Sequence, residues 1–312
     1  MTTRVAYVSH ADCGRHDTGW NHPEHVGRLR AITRALRNDP ELFETLLQHE
    51  GRHATNAELA LVHDVGYVQR VQELATAGGG QLDADTPISA GSYDAATAAV
   101  GCILDAIDMA FDGRALRSFC AVRPPGHHAF HNRGTGFCLF GNVAIGARYA
   151  LESHACERVL IVDWDVHHGN GTQALVEHDP RMHFVSIHQS PWYPGSGLAD
   201  DHGPLGTIWN VPMPAALPAS TYVNALLVAV DAAATNFQPD LLLVSSGFDS
   251  LLDDPLGGFT LTSDDVRTLT RELVERAERW CNGRLVSALE GGYAPDAVAN
   301  AVIAHLHALA KN

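Results

Sequence analysis

The residues best suited to chemistry lie in Asp163-Trp-Asp165-Val-His167-His168-Gly169-Asn170-Gly171, directly after the apolar run Val159-Leu-Ile-Val162. Read as a strand, the segment places Asp163, Asp165 and His167 on one face, because side chains alternate with a period of two. The run is short and rich in β-branched residues, and the glycines behind it stop the strand. Carboxylates and an imidazole suit a borderline cation such as zinc, with an open position for water. The plain alternative is a strand ending in solvated acids. Two acids and two histidines crowded beside glycines would be hard to hold without such compensation.

Three further segments combine apolar runs with reactive, glycine-punctuated ends: Cys120-Ala-Val-Arg-Pro-Pro-Gly-His127-His128, Ser245-Ser-Gly-Phe-Asp249 and Leu289-Glu-Gly-Gly-Tyr293. In a zinc site of Asp165, His167 and Asp249, two carboxylates cancel most of the ion's charge. Bound water is then acidified only modestly, and a general base beside it is needed. The rigid Pro-Pro-Gly turn offers two imidazoles. One hydrogen-bonded to Asp163 would be held toward the cationic form, and one facing the neutral Asn170 would remain closer to a free base. The residues alone leave open which is which. Tyr293, behind two glycines, can donate its hydroxyl to a developing oxyanion. Base, oxyanion donor and metal together make amide hydrolysis the natural reaction. Taken singly, the His-His pair reads as a loop feature, the Asp as a helix cap, and the Gly-Gly-Tyr as a turn beside a packed aromatic. Only their joint occurrence carries weight.

Positioning these groups falls to an alternation of strands and helices. Strands are predicted at 4–8, 118–122, 159–162, 182–187, 241–245 and 285–289, and helices at 25–37, 90–110, 141–153, 220–236, 263–280 and 295–309. Gly78-Gly-Gly80 and Val211-Pro-Met-Pro-Ala-Ala-Leu-Pro218 read as loops. The alternation implies an α/β fold with a central, mainly parallel sheet covered on both faces. In such sheets ligands lie beyond the carboxyl ends of the strands, where all four reactive segments fall.

With 312 residues a core needs no staples. The formal charge of −15 argues against a nucleic-acid binder and favours approach of cationic substrates, although acidity also serves solubility. Six scattered cysteines read as reduced thiols, and Met1-Thr-Thr-Arg-Val-Ala-Tyr-Val enters a strand-like segment with no signal peptide. No stretch approaches the ~20 apolar residues of a membrane span. The expectation is a cytoplasmic protein without membrane or nucleic-acid partners.

The joint pattern resembles the zinc-dependent histone deacetylase family with its arginase-like α/β fold, and within it the class II branch and bacterial histone deacetylase-like amidohydrolases. The matching motifs are His22-Pro-Glu-His-Val-Gly-Arg28, Arg123-Pro-Pro-Gly-His-His-Ala129, Gly136-Phe-Cys-Leu-Phe140, the Asp163–Gly171 segment, Ser186-Ile-His-Gln189, Gly247-Phe-Asp-Ser250 and Glu290-Gly-Gly-Tyr293. The resemblance implies Asp165, His167 and Asp249 as zinc ligands, with iron(II) tolerated by the same set. It implies His127 as the Asp163-paired electrostatic histidine, His128 as general base and acid, and Tyr293 as the group polarising the acyl carbonyl. Gly136, Phe137 and Tyr193 would flank a narrow tunnel for the acyl-lysine stem. A monovalent cation, usually potassium, would be surrounded by Asp163, Asp165, His167, Ser186 and Ile187. Arg28 would line an internal acetate pocket, and Asp83 would accept substrate backbone hydrogen bonds at the rim, with Asp85 competing for that role.

Leu256 stands where the polyamine-specific branch carries a glutamate gatekeeper, which weighs against strict polyamine selectivity. Gly141-Asn142, where relatives often carry two asparagines, bears on packing. The implied protein is one catalytic domain over 1–312, free to form homo-oligomers. It would be a zinc-dependent deacetylase acting on small-molecule or peptide acyl-lysine or similar N-acetyl amines. An acetylpolyamine amidohydrolase is the nearest alternative. A two-manganese ureohydrolase ranks low, because the chain offers Asp-x-Asp-x-His and not Asp-x-His-x-Asp. A non-catalytic acyl-lysine binder would be expected to have lost one of the reactive groups.

Overall fold

The computed structural model describes residues 4–310, so Met1–Thr3 of the expected N-terminal segment lie outside it. The strands are β1 Val5–Ser9, β2 Leu47–Glu50, β3 Gly79–Asp83, β4 Thr86–Ser89, β5 Arg117–Cys120, β6 Val159–Asp163, β7 Met182–Gln189, β8 Ile208–Met213, β9 Leu241–Ser246 and β10 Leu285–Leu289. The helices are α1 Gly27–Arg37, α2 Pro40–Thr45, α3 Asn56–Leu59, α4 Val65–Thr76, α5 Ser92–Asp112, α6 Asn142–Ser153, α7 Asn170–Val176, α8 Ala219–Ala234, α9 Ser263–Cys281 and α10 Pro295–Ala310. Eight strands form one sheet in the order β2-β1-β5-β10-β9-β6-β7-β8, and β3 and β4 form a separate antiparallel pair. Every pairing in the large sheet is parallel.

The central strands are apolar throughout because both sheet faces are buried. Alternate residues serve opposite layers. Val5, Tyr7, Leu160, Val162, Leu242 and Val244 join the core beneath α1, α8, α9 and α10. Ala6, Val8, Val159, Ile161, Leu241 and Leu243 join the core beneath α5 and α6. Local chemistry fixes the helix ends. Thr262 and Asp265 form a capping box at the start of α9, and Asn282 closes that helix in the left-handed region at φ 55°.

The six predicted strands and six predicted helices are present with ends shifted by a few residues at most. The two readings of loop are corrected. Gly79 and Gly80 begin β3, and Val211-Pro212-Met213 complete β8. Both edge strands of the main sheet, β2 and β8, escaped the pattern. β2 alternates partly buried and exposed positions over only four residues, and β8 carries Pro212, which an edge strand accommodates because one side needs no ladder partner.

Candidate active site

β6 ends at Asp163, and the chain then turns instead of continuing as a strand. The common face expected from strand alternation is produced differently. Asp163 Oδ1 accepts the Asp165 N–H at 3.1 Å, and Asp165 Oδ1 accepts the His167 N–H at 2.9 Å. Such carboxylate turns reverse the chain locally. Asp249, just beyond β9, meets the same segment by accepting the Val166 N–H through Oδ1 at 2.9 Å.

Donor atoms of Asp165, His167 and Asp249 lie within 4.8 Å of one another, and all three residues are buried. His167 Nδ1 is 3.0 Å from Asp165 Oδ1 and 3.3 Å from Asp249 Oδ2. Asp249 Oδ2 is buried without a hydrogen bond. Burial opposes charge on the imidazole, yet the Asp165 and Asp249 carboxylates outweigh it and push His167 up to about 10. Burial, then repulsion from Asp165, pushes Asp249 up to about 7. Two buried carboxylates thus compete for positive charge, and a divalent cation fits this donor set. Gly291 lets the backbone close over it. Its N–H donates to Asp165 Oδ2 at 2.8 Å, and a Cβ there would lie 2.0 Å from Asp249 Oδ2.

Beside this cluster the two histidines after the Pro-Pro-Gly turn have opposite partners. His127 Nδ1 is 3.0 Å from Asp163 Oδ2, and its Nε2 is 3.7 Å from Asp165 Oδ1. Burial disfavours its charge, but Asp165 and Asp163 hold it well above its ordinary value. His128 Nδ1 is 2.7 Å from Asn170 Oδ1, which also accepts the Gly171 N–H at 3.0 Å. That oxygen can only accept, so His128 carries its proton on Nδ1 and leaves Nε2 as a free base. Burial, reinforced by His127 and His167, keeps His128 well below its ordinary value. One imidazole is held cationic and its neighbour neutral, with ring centroids 3.9 Å apart.

A cavity of about 240 Å³ opens onto these groups, lined by Asp85, His128, Gly136, Phe137, His167, Trp192, Tyr193, Leu256 and Tyr293. Gly136 sits at φ +55°, and a Cβ there would meet His128 Cδ2 at 2.4 Å. Phe137 and Tyr293 stand edge to face at 5.8 Å, while Tyr193 stands edge to face with His128 at 5.2 Å. Burial, then Asp249, holds the Tyr293 hydroxyl well above its ordinary value, so it stays a donor.

Deeper residues hold these groups in place. Glu290 Oε2 accepts the Gly126 and His127 N–H groups at 2.6 and 3.2 Å. Asp254 Oδ2 accepts the Tyr293 N–H at 2.6 Å, and its Oδ1 accepts that of Leu256 at 3.0 Å. Arg28 donates to the carbonyls of Gly292 and Glu290, both at 2.5 Å, and its guanidinium lies 5.1 Å from the Tyr293 ring centroid. Glu24 joins Arg28 to Arg123 through carboxylate contacts to both. Glu24 and Glu290 were visible as motif members, but their partners lie far along the chain, so no local spacing reveals what they hold, and Asp254 stands outside the matching motifs. Trp192 carries no motif signal and reaches the rim by donating Nε1–H to the Leu256 carbonyl at 2.9 Å.

The structure therefore gathers His127, His128, Asp163, Asp165, His167, Asp249 and Tyr293 around one cavity, with Gly136, Phe137, Tyr193 and Leu256 on its walls. Asp83 is exposed at the end of β3, whereas Asp85 lines the cavity and accepts the Gly136 N–H at 3.2 Å. Of the two aspartates, Asp85 is thus the one that lines the cavity. Arg28 is fully buried, and its Nε, Nη1 and Nη2 each donate one hydrogen to a protein oxygen. His168 turns away from the cluster to Ser196 and Gln173. Ser186 lies opposite Asp163 in the β6–β7 register, and Ile187 is fully buried beside it.

A parallel α/β sheet with a buried Asp-His-Asp cluster, a polarised histidine pair and a tyrosine over a narrow cavity defines a metal-site hydrolase architecture. The chain belongs to the histone deacetylase family: the model of the histone deacetylase domain matches residues 22–309. A protein of Synechocystis is 42% identical across 98% of this chain and 99% of its own length. A histone deacetylase-like amidohydrolase of Pseudomonas aeruginosa is 39% identical over 77% of this chain and 64% of its own. The crystal structure of the HDA15 HD domain superimposes with a TM-score of 0.93 at 33% identity, covering 99% of this chain and 89% of that one.

Proposed function

We propose that this chain is a zinc-dependent amidohydrolase that removes acetyl groups from acyl-lysine side chains or similar N-acetyl amines. The observation carrying this reading is the convergence of Asp165, His167 and Asp249 with two oppositely polarised histidines and Tyr293 at one cavity. A divalent ion held by Asp165, His167 and Asp249 would polarise the acyl carbonyl and acidify the attacking water. His128 Nε2 takes a proton from that water, and Asn170 stabilises the imidazolium that results. Tyr293 donates its hydroxyl to the oxygen that gains negative charge. The His127 cation, anchored by Asp163, adds electrostatic support on the same side. His128 then delivers its proton to the departing amine. Phe137 and Tyr193 clasp the aliphatic stem, and Asp85 accepts substrate N–H groups at the rim.

Asp163, Asp165, His167, Ser186 and Ile187 would surround a monovalent cation such as potassium. The burial of this shell and the pairing of Asp163 with Ser186 support that placement. One catalytic domain over 1–312 and a cytoplasmic setting complete the proposal. The six cysteines are all buried and free, and among the described residues no helix is long and apolar enough to cross a membrane.

The test is hydrolysis of an acetyl-lysine peptide and of N-acetylputrescine in parallel, before and after dialysis against a chelator. Peptide turnover that disappears with the metal and returns with zinc supports the reading. Preference for the polyamine moves the substrate class while keeping the centre. Turnover unaffected by chelation overturns the metal mechanism.

A further inference from the structure

Leu256 forms part of the cavity wall, yet it lies in a turn between β9 and α9 and on no regular element. A loop side chain sets the width of a cavity only where its backbone is held. Both polar groups of the Leu256 backbone are taken by side chains from elsewhere in the site. Asp254 Oδ1 accepts its N–H at 3.0 Å, and Trp192 Nε1–H donates to its carbonyl at 2.9 Å. The residues that follow are fixed as well. A Cβ on Gly257 would lie 2.1 Å from the Asp249 carbonyl oxygen, so this backbone packs directly against one of the metal-capable residues. Gly258 N–H donates to Gln189 Oε1 at 2.7 Å, at the end of β7.

Two features set these contacts apart from ordinary loop packing. Trp192 is 46% exposed, and an indole so placed can give its N–H to water. Instead it bridges from the β7–β8 loop to the β9–α9 loop, joining two residues that both line the cavity. Asp254 is buried, and its other oxygen accepts the N–H groups of Tyr293 and Ala294 at 2.6 and 3.3 Å. One carboxylate therefore fixes the wall at Leu256 relative to the hydroxyl donor at Tyr293.

We propose that Trp192 and Asp254 are positioning residues that set the selectivity of the cavity by pinning Leu256 from both sides. The inference rests on the reading of this cavity as the seat of acyl-amine hydrolysis. With its N–H and carbonyl both held, Leu256 does not withdraw when a wider substrate enters. The wall then disfavours substrates that broaden near the mouth, such as acyl-lysine within a peptide, relative to slender N-acetylputrescine. Loosening either pin relaxes that discrimination.

The test compares kcat/KM on an acetyl-lysine peptide and on N-acetylputrescine for wild type, Trp192→Phe, Leu256→Ala and the double variant. Trp192→Phe keeps an aromatic ring and removes the N–H donor. The ratio should move toward the peptide by roughly 2–10-fold, the effect of one net hydrogen bond. In the Leu256→Ala background the same change should add nothing, because the indole acts through the leucine. Asp254→Asn keeps one accepting oxygen of two, so it should move the ratio the same way and also lower kcat on both substrates as Tyr293 loses its anchor. A ratio unmoved by Trp192→Phe, or moved equally in the Leu256→Ala background, overturns the proposal. Amide hydrogen exchange separates this inference from the functional reading. Exchange across 254–258 should quicken by roughly 2–10-fold in Trp192→Phe, whether or not either substrate is turned over. Unchanged exchange overturns the pinning. Turnover of neither substrate by zinc-loaded wild type overturns the hydrolytic reading, and the exchange result then decides the pinning by itself.

Discussion

Replacing Glu24 by Gln tests whether one buried carboxylate ties both halves of the catalytic apparatus together. Glu24, Arg28 and Arg123 are each fully buried. Glu24 Oε2 accepts from Arg123 Nη2 at 2.6 Å, and Oε1 accepts from Arg28 Nη1 at 3.1 Å. Burial by itself would raise this carboxyl, but the two guanidiniums, Arg123 foremost, overcome it and hold it at about 2, against an ordinary 4.5. That difference corresponds to about 3 kcal/mol of charge-dependent stability. Removing one partner of a buried ion pair costs about 3–5 kcal/mol, which agrees. Because the folded value is depressed, the contribution is fully present above pH 4.5 and is lost as pH falls toward about 2. Urea unfolding of Glu24→Gln at neutral pH should therefore show a loss of about 3 kcal/mol at unchanged m. The gap from wild type should narrow steadily from pH 4.5 downward. A loss below about 1 kcal/mol, or a gap that does not narrow in acid, refutes the reasoning. Turnover should fall too, because Arg28 holds the Glu290 and Gly292 carbonyls and Arg123 leads into the His127–His128 turn.

Tyr293→Phe should lower kcat by roughly 10²–10³, the usual effect of deleting one oxyanion donor, with bound zinc unchanged. Near-normal turnover would remove Tyr293 from the mechanism. Gly136→Ala places a methyl group 2.4 Å from His128 Cδ2 and strains a positive φ. Its kcat/KM should drop on the order of 10²-fold through displacement of the base, while metal content stays constant. Leu256→Glu introduces a carboxylate into the cavity wall and should shift the ratio of N-acetylputrescine to acetyl-lysine peptide turnover toward the polyamine. An unchanged ratio would show that selectivity is set elsewhere.

Much of the architecture was legible from local chemistry. Apolar β-branched runs such as Val159–Val162 must be buried wherever they lie, and the amphipathic stretches of α1 and α9 must cover something. The groups fit for metal and proton chemistry could be named because carboxylates, imidazoles and a tyrosine stood where apolar runs stop. Short or polar edges were not legible: β2 covers alternate side chains only partly, and β8 tolerates a proline. Neither was the reason Asp165 and His167 share a face with Asp163. It rests on carboxylate turns beyond the strand, not on pleat alternation. That Asp85 and not Asp83 lines the cavity also depended on how the β3–β4 hairpin meets Gly136.

The sequence by itself determined the inventory: which residues can ligate, titrate and donate, and that they end strands of a parallel sheet. Only the tertiary structure decided that they meet. β9 and β10, late in the chain, insert between β5 and β6, so the four strands bearing the reactive segments become neighbours in the order β5-β10-β9-β6. Strand order is set by which apolar faces pack best over the whole sheet, a global balance that no local spacing records. The same packing brings Asp163 behind His127 and Asn170 behind His128, and so gives two adjacent, chemically identical side chains opposite protonation states.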